Sequence, residues 1–232
     1  MAYPTIDRPY GLKPVNLIGG QVFAGATRQL VIANTTGTGY NTNIFYGDIV
    51  KIVSDGTIEK DTGTSTATPV GVFLGCQYVN ASTKQPVWSQ YYPASLSVVS
   101  GSTIYAYVAD DPDQLFKAVL VAGTAANDTT STGGLTVAFL GRTMIGSNAQ
   151  IVQNTTYDGT NSNAQSGDST IGIYSAAGGT TTATLPIRII DVVPDTANSS
   201  GNFCEFIVKF NAPNVTGQTV AGGHQYLNPT GV

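Results

Sequence analysis

Apolar residues come in short runs along this chain, many of them alternating with polar ones, and the runs are parted by clusters of Gly, Asn, Asp, Ser and Thr. Helical spacing is almost missing. That is the signature of strands joined by turns. Strands are predicted over residues 28–33, 48–54, 71–77, 104–109, 116–121, 135–140, 149–152, 171–174, 185–193 and 204–210. Thr, Val, Ile, Tyr and Phe fill them, as side chains that suit a pleated surface do. The sharpest hairpin signal is Asp55-Gly56 between Val53 and Ile58, because Asp-Gly supplies the positive φ angles of a tight turn.

Residues 1–20 depart from this pattern. Pro4, Pro9 and Pro14 interrupt any regular ladder and favour an extended path. Tyr3, Ile6, Tyr10, Leu12 and Val15 are apolar nonetheless. Such a segment is suited to lie along a surface, its own domain's or a neighbour's. An intermolecular arm is the preferred reading, since ordering an extended segment needs contacts that offset its entropy. Residues 122–134 and 154–169 are rich in Gly, Thr, Asn, Ser and Asp and read as exposed loops. Residues 21–232 form the β domain; if it divides into two β subdomains, the split falls within 122–170.

Composition changes the picture of the surface. Charged residues make up 10% of the 232, against roughly 25% in an ordinary soluble domain. Neutral polar side chains therefore cover the outside. Such a surface is cheaper to desolvate than an ionised one, because a buried ion is costly unless paired. The composition leans towards a protein that buries much of its outside against neighbours, although an extracellular binding module shares it. The net charge is −4 and no Lys/Arg cluster appears, so neither nucleic acid nor an anionic membrane is an expected partner. No apolar stretch is long enough to span a bilayer. The first residues lack the charged and apolar regions of a signal peptide, which points to assembly inside a cell.

Candidate chemistry is sparse. Cys76 and Cys204 sit in apolar runs and read as buried free thiols. His224 is the only histidine, so a Ser-His-Asp or Cys-His device would have to use it. Its Gly-rich surroundings near the end of the sequence favour a packing role. Asp110, Asp111 and Asp113 form the densest acidic cluster. They are a weak Ca²⁺ candidate, since carboxylate oxygens suit that ion but the spacing is not that of an EF-hand; a solvated turn is the simpler reading. Asp191 with Asp195, and Glu59 with Asp61, are paired carboxylates without a supporting motif. Trp88 lies in an aromatic-rich stretch with Tyr91 and Tyr92, where a core or subunit-interface anchor is the usual role. The chain is therefore expected to be no enzyme and to need no cofactor.

One block carries a resemblance. Tyr46-Gly-Asp-Ile-Val-Lys-Ile-Val-Ser-Asp-Gly-Thr-Ile-Glu-Lys60 is followed by Ala67-Thr-Pro-Val-Gly-Val-Phe-Leu-Gly75. This resembles the head decoration and cement proteins of tailed phages, cyanophages among them. There a Gly-Asp strand leads through an Asp-Gly hairpin to a Thr-Pro strand. Pro9-Tyr-Gly-Leu-Lys-Pro-Val15, Ala106-Tyr-Val-Ala-Asp-Asp-Pro-Asp113 and Asp191-Val-Val-Pro-Asp195 look similar to further segments of that family.

The resemblance implies an all-β core, and the expected architecture is an antiparallel β-barrel or sandwich, β-tulip-like or jelly-roll-like, with an extended N-terminal arm. It also implies a homotrimer on the outer surface of a capsid, bound to the major capsid protein and clamping the shell against internal DNA pressure. Assembly would take place in the host bacterial cytoplasm. Expected contact residues are Tyr3, Ile6, Arg8, Tyr10, Leu12, Lys13 and Val15 of the arm, with Trp88, Tyr91 and Tyr92. Deleting residues 2–15 is then expected to weaken head attachment without unfolding the core. The alternatives are a head fibre or tail protein, or a carbohydrate-binding β-module using Trp88, Tyr91, Tyr92 and nearby Asn and Gln residues.

Overall fold

A computed structural model describes residues 6, 8–35, 38–121, 142–153, 166–175, 180–196, 203–216 and 219–229. Its strands in chain order are β1 (Lys13–Leu17), β2 (Arg28–Val31), β3 (Asn34–Thr35), β4 (Thr38–Gly39), β5 (Ile49–Ile52), β6 (Ile58–Lys60), β7 (Gly71–Val79) and β8 (Pro86–Ser89). They continue with β9 (Tyr105–Ala109), β10 (Gln114–Leu120), β11 (Asn148–Val152), β12 (Gly172–Tyr174), β13 (Ile187–Val192), β14 (Cys204–Phe210), β15 (Asn214–Thr216) and β16 (Thr219–Ala221). The all-β class is as the periodicity implies. The expected strand at 135–140 lies outside the described residues.

Five strands close into a barrel in the order β10–β12–β11–β13–β14, with β14 returning to pair with β10. Closure leaves no free edge within the ring. Strict alternation builds its interior: Cys204, Phe206, Val208 and Phe210 of β14 join Phe116, Ala118 and Leu120 of β10 in one core, while the residues between them face away. The barrel is mixed rather than purely antiparallel, because β10 and β12 run parallel through Leu120 and Ile173. The antiparallel expectation fails at this one pairing.

A second sheet runs β2–β9–β7–β5–β6, with β8 on the edge of β7 beyond β5. All its strand pairings are antiparallel. A parallel bridge between Ile32 and Ile58 brings its two ends together. The Asp-Gly turn forms as expected: Val53 N donates to Thr57 O at 2.9 Å, and Gly56 takes φ +80°. Neighbouring residues of this sheet serve different cores. Ile49, Val72 and Ala109 lie in the barrel core, and Val50, Phe73 and Val108 lie in the sheet's own. One end of the sheet is thus a wall shared by both. The chain passes from the barrel's sheet to the second sheet between β1 and β2 and returns at residues 110–113. Within 122–170, where a division is expected, β11 pairs in the same sheet as β12 and β13.

The N-terminal expectation needs correction. From residue 8 onward the segment is built into its own domain. Leu12 is fully buried, and β1 pairs with β10 through Lys13–Lys117 and Pro14–Phe116. Pro14 does not prevent this, because β1 is an edge strand and an edge tolerates a residue without an N–H. Ile6 and Tyr10 cover Val119, Val121, Val152 and Phe203 on the outside of the barrel. Deleting residues 2–15 would remove Leu12 and part of β1, so it tests folding, not attachment. Residues 166–169 are also no exposed loop. Tyr46 donates to Gly167 O at 2.9 Å and accepts from Ser169 N at 2.9 Å, which stitches them to the second sheet.

Candidate functional site

The second sheet has one face that the barrel covers only in part. Register places Trp88 of β8 opposite Gln77 of β7, Gln77 opposite Tyr105 of β9, and Tyr105 opposite Val31 of β2. In the adjoining row Gln29 stands opposite Tyr107. Residues of one parity share a face, so these side chains make one surface. Trp88 is 64% exposed and Tyr105 39%. Gln29 Nε2 donates to Tyr107 Oη at 3.2 Å, and Tyr107 Oη donates to Gln77 Oε1 at 2.9 Å. The rows hold aromatic rings, amides and Val31, and no Asp, Glu, Lys, Arg or His.

Trp88 therefore separates from the two tyrosines grouped with it in the sequence. Tyr92 is fully buried and donates to Tyr40 O at 3.0 Å. Tyr91 is half-buried and stacks on Phe45 with centroids 5.6 Å apart. Neither joins Trp88 on the surface. Gln29, Gln77, Tyr105 and Tyr107 escaped the sequence reading. The signal lay in the alternation of Tyr105-Ala106-Tyr107-Val108, which puts both rings on the parity opposite the buried Ala106 and Val108.

A second outward feature follows β1. Residues 18–27 contain no ionisable side chain and are exposed except at half-buried Phe23. Ile18 is 49% exposed and Val22 76%. Ile18 N donates to Asp113 O at 3.0 Å, and Phe23 N to Val15 O at 3.3 Å, so the first half of the segment is held against β1 and the 110–113 turn.

The expected arm contacts fare differently from one another. Tyr3 lies outside the described residues. Ile6, Arg8, Tyr10, Lys13 and Val15 are half-buried, and Leu12 is unavailable to a partner. Tyr10 Oη donates to Glu205 Oε1, and Lys117 Nζ stands 3.0 Å from the same oxygen. Burial and this bond to Glu205 hold the Tyr10 phenol well above its ordinary pKa. Lys13 Nζ lies 4.8 Å above the Tyr10 ring and 3.9 Å from Asp168.

The acidic cluster is dispersed. Asp110 Oδ2 is 3.0 Å from Arg28 Nε and accepts from Tyr226 Oη. Asp111 Oδ1 accepts from Asp113 N. Asp113 Oδ1 is 3.1 Å from Lys209 Nζ. The three carboxylates serve different partners, which overturns the Ca²⁺ candidate of Asp110, Asp111 and Asp113. Among the described residues no group of three or more His, Cys, Asp or Glu is placed to hold a metal ion. Of the other paired carboxylates, buried Asp61 accepts from Gly63 N and Thr68 N, and exposed Asp191 accepts from Val192 N.

Nucleophile and base are likewise separated. Burial pushes the Cys76 thiol up to about 12 and the Cys204 thiol up to about 11. Thiols so protonated are poor nucleophiles. His224 is fully buried; its Nδ1 accepts from Tyr226 N at 3.2 Å, and its Nε2 has no hydrogen-bond partner. It belongs to a clasp that joins both sheets. Gly223 N donates to Ala67 O, His224 N to Asn211 O and Gln225 N to Pro69 O, each at 2.9 Å. Gln225 also takes both backbone groups of Ile52, at 2.6 and 2.9 Å.

Burial lowers the His224 pKa to about 4 from 6.5, against a smaller opposing pull from Asp110 and Asp111. Between those values the unfolded chain binds a proton that the folded chain refuses. Stability is thus complete above pH 6.5 and falls as pH drops towards 4, by about 3 kcal/mol in all. Urea unfolding at pH 7.5 and 4.5 checks this. His224→Phe should lose that part of the pH slope, and an unchanged slope would refute the assignment.

No helix among the described residues is long and apolar enough to cross a membrane. No protein-family model, curated protein or solved structure matches the chain.

Proposed function

We propose that this chain is a virion structural protein of the head cement type, which attaches to the outside of a phage capsid through protein–protein contacts. Its partners on this reading are the major capsid protein and further copies of itself in a trimer. The observation that carries the reading is the exposed segment 18–27, which presents Ile18 and Val22 to solvent with no ionisable side chain among its residues. Covering it removes apolar area from water and strips hydration from no ion. The resemblance around residues 46–75 supplies the identity of the partner, and the low charge of the whole chain agrees with broad neutral contacts.

The test is co-sedimentation of the purified chain with expanded phage heads. Ile18→Asp with Val22→Asp should abolish attachment, because each places a charge in the contact. Its melting temperature should stay near that of the parent, since both sites are exposed. Undiminished attachment of this variant, or a parent chain that ignores heads altogether, would end the proposal.

A further inference from the structure

We propose that the uncovered face of the second sheet binds neutral saccharides, with Trp88 as the stacking plane and Gln77 and Gln29 as hydroxyl readers. The inference is independent of the cement reading, which rests on residues 18–27.

Three properties of the face converge. The first is a rigid exposed ring. Trp88 is the one tryptophan of the chain, and β8 holds it in register against β7. An indole left 64% exposed forgoes the burial that large aromatic rings ordinarily gain. Tyr105, 39% exposed, lies in the same row two strands away, roughly 10 Å from Trp88 at ordinary strand spacing. Between them stands Gln77. The row is therefore ring, amide, ring.

The second property is a preset hydrogen-bonding chain. Gln29 donates to Tyr107, and Tyr107 donates to Gln77. This leaves Gln77 Nε2 as a donor and Gln29 Oε1 as an acceptor, neither used by another described side chain. A sugar hydroxyl both donates and accepts, so it can meet either end. The chain also fixes both amide orientations before any ligand arrives, which lowers the entropy cost of binding.

The third property is neutrality. None of Gln29, Val31, Gln77, Trp88, Tyr105 and Tyr107 is an Asp, Glu, Lys, Arg or His. An anionic ligand would find no cation among them, and a cationic one no carboxylate. The matching ligand presents apolar C–H faces for the rings, hydroxyls for the amides and no net charge. That is the chemistry of a pyranose chain. Protein interfaces also favour aromatics, but their cores are predominantly apolar. Here half of the six side chains, Gln29, Gln77 and Tyr107, belong to one hydrogen-bonded polar chain.

Because Trp88 is the only tryptophan, its emission reports on this face alone. The intact chain is titrated with neutral cello-, manno- and chito-oligosaccharides. At least one should shift Trp88 emission to the blue, saturably, at millimolar concentration or below. Calorimetry with Trp88→Ala and with Gln77→Ala should then show affinity reduced tenfold or more at an unchanged melting temperature. A flat titration with all three probes overturns the proposal. So does a response confined to an anionic chain such as alginate, or binding that survives Trp88→Ala. Loss of acrylamide access to Trp88 on head-bound protein would assign the face to a protein contact and overturn the saccharide reading while leaving the cement reading intact.

Discussion

Asp48→Ala is expected to destabilise the fold by about 3–5 kcal/mol, the range for removing one member of a buried ion pair. Asp48 is 1% exposed, and its Oδ2 lies 3.0 Å from Lys60 Nζ. The same carboxylate accepts from Phe45 N at 2.8 Å and from Ser169 Oγ at 2.6 Å. Alanine removes one counter-charge of a buried ammonium together with the hydrogen bonds from Phe45 N and Ser169 Oγ, and the loss of those two acceptors adds a desolvation cost. Ser169 leads into the barrel, so the carboxylate also ties the barrel to the second sheet. Urea unfolding reads the effect as a lower midpoint at unchanged m-value. The double change Asp48→Ala with Lys60→Met should recover the part of the loss that comes from the ion pair, since an apolar replacement of a buried pair is often neutral, while the part due to the Phe45 N and Ser169 Oγ bonds remains. A single-variant cost below about 1 kcal/mol would show that this pair does not hold the sheets together.

That pair was not legible in the sequence, and the reason is physical. Asp48 and Lys60 are charged residues at strand ends, where exposure is the ordinary expectation. Only the hairpin register, with Val50 opposite Lys60, shows that Lys60 shares the inward parity of Ile58. By contrast, β14 could be read directly, because Cys204, Phe206, Val208 and Phe210 alternate without interruption. β1 was missed because Pro14 was read as ladder-breaking, a rule that holds for central strands and relaxes at edges. β8 was missed for its brevity, four residues beginning with Pro86. The candidate face was half visible. An exposed-or-interface choice for Trp88 follows from composition, but joining it to Gln77 and Tyr105 requires three strands in register, and Tyr91 and Tyr92 looked equally suitable until Phe45 and Tyr40 claimed them. Register between distant strands is a non-local property, which local alternation does not encode.

Gly222→Ala is expected to cost about 4 kcal/mol, far more than Gly56→Ala, although both glycines occupy the left-handed region. Gly56 has φ +80° and Gly222 φ +63°, so both substitutions carry the left-handed penalty of about 1–2 kcal/mol. At Gly56 nothing lies within 4 Å of the added carbon, and the cost ends there. At Gly222 the added carbon would sit 1.8 Å from Thr184 O and 2.8 Å from Thr184 C. These are backbone atoms, which no rotamer change can move. Relief requires displacing the clasp, where His224 and Gln225 are buried and Gln225 holds both backbone groups of Ile52. The displaced clasp would admit water to the His224 ring and raise its low pKa towards the ordinary value, so the acid sensitivity between pH 4 and 6.5 should shrink along with the stability. Paired urea titrations of the two variants at pH 7.5 and 4.5 measure both quantities. Equal costs for Gly222→Ala and Gly56→Ala would mean that the C-terminal clasp yields freely and does not brace the junction of the two sheets.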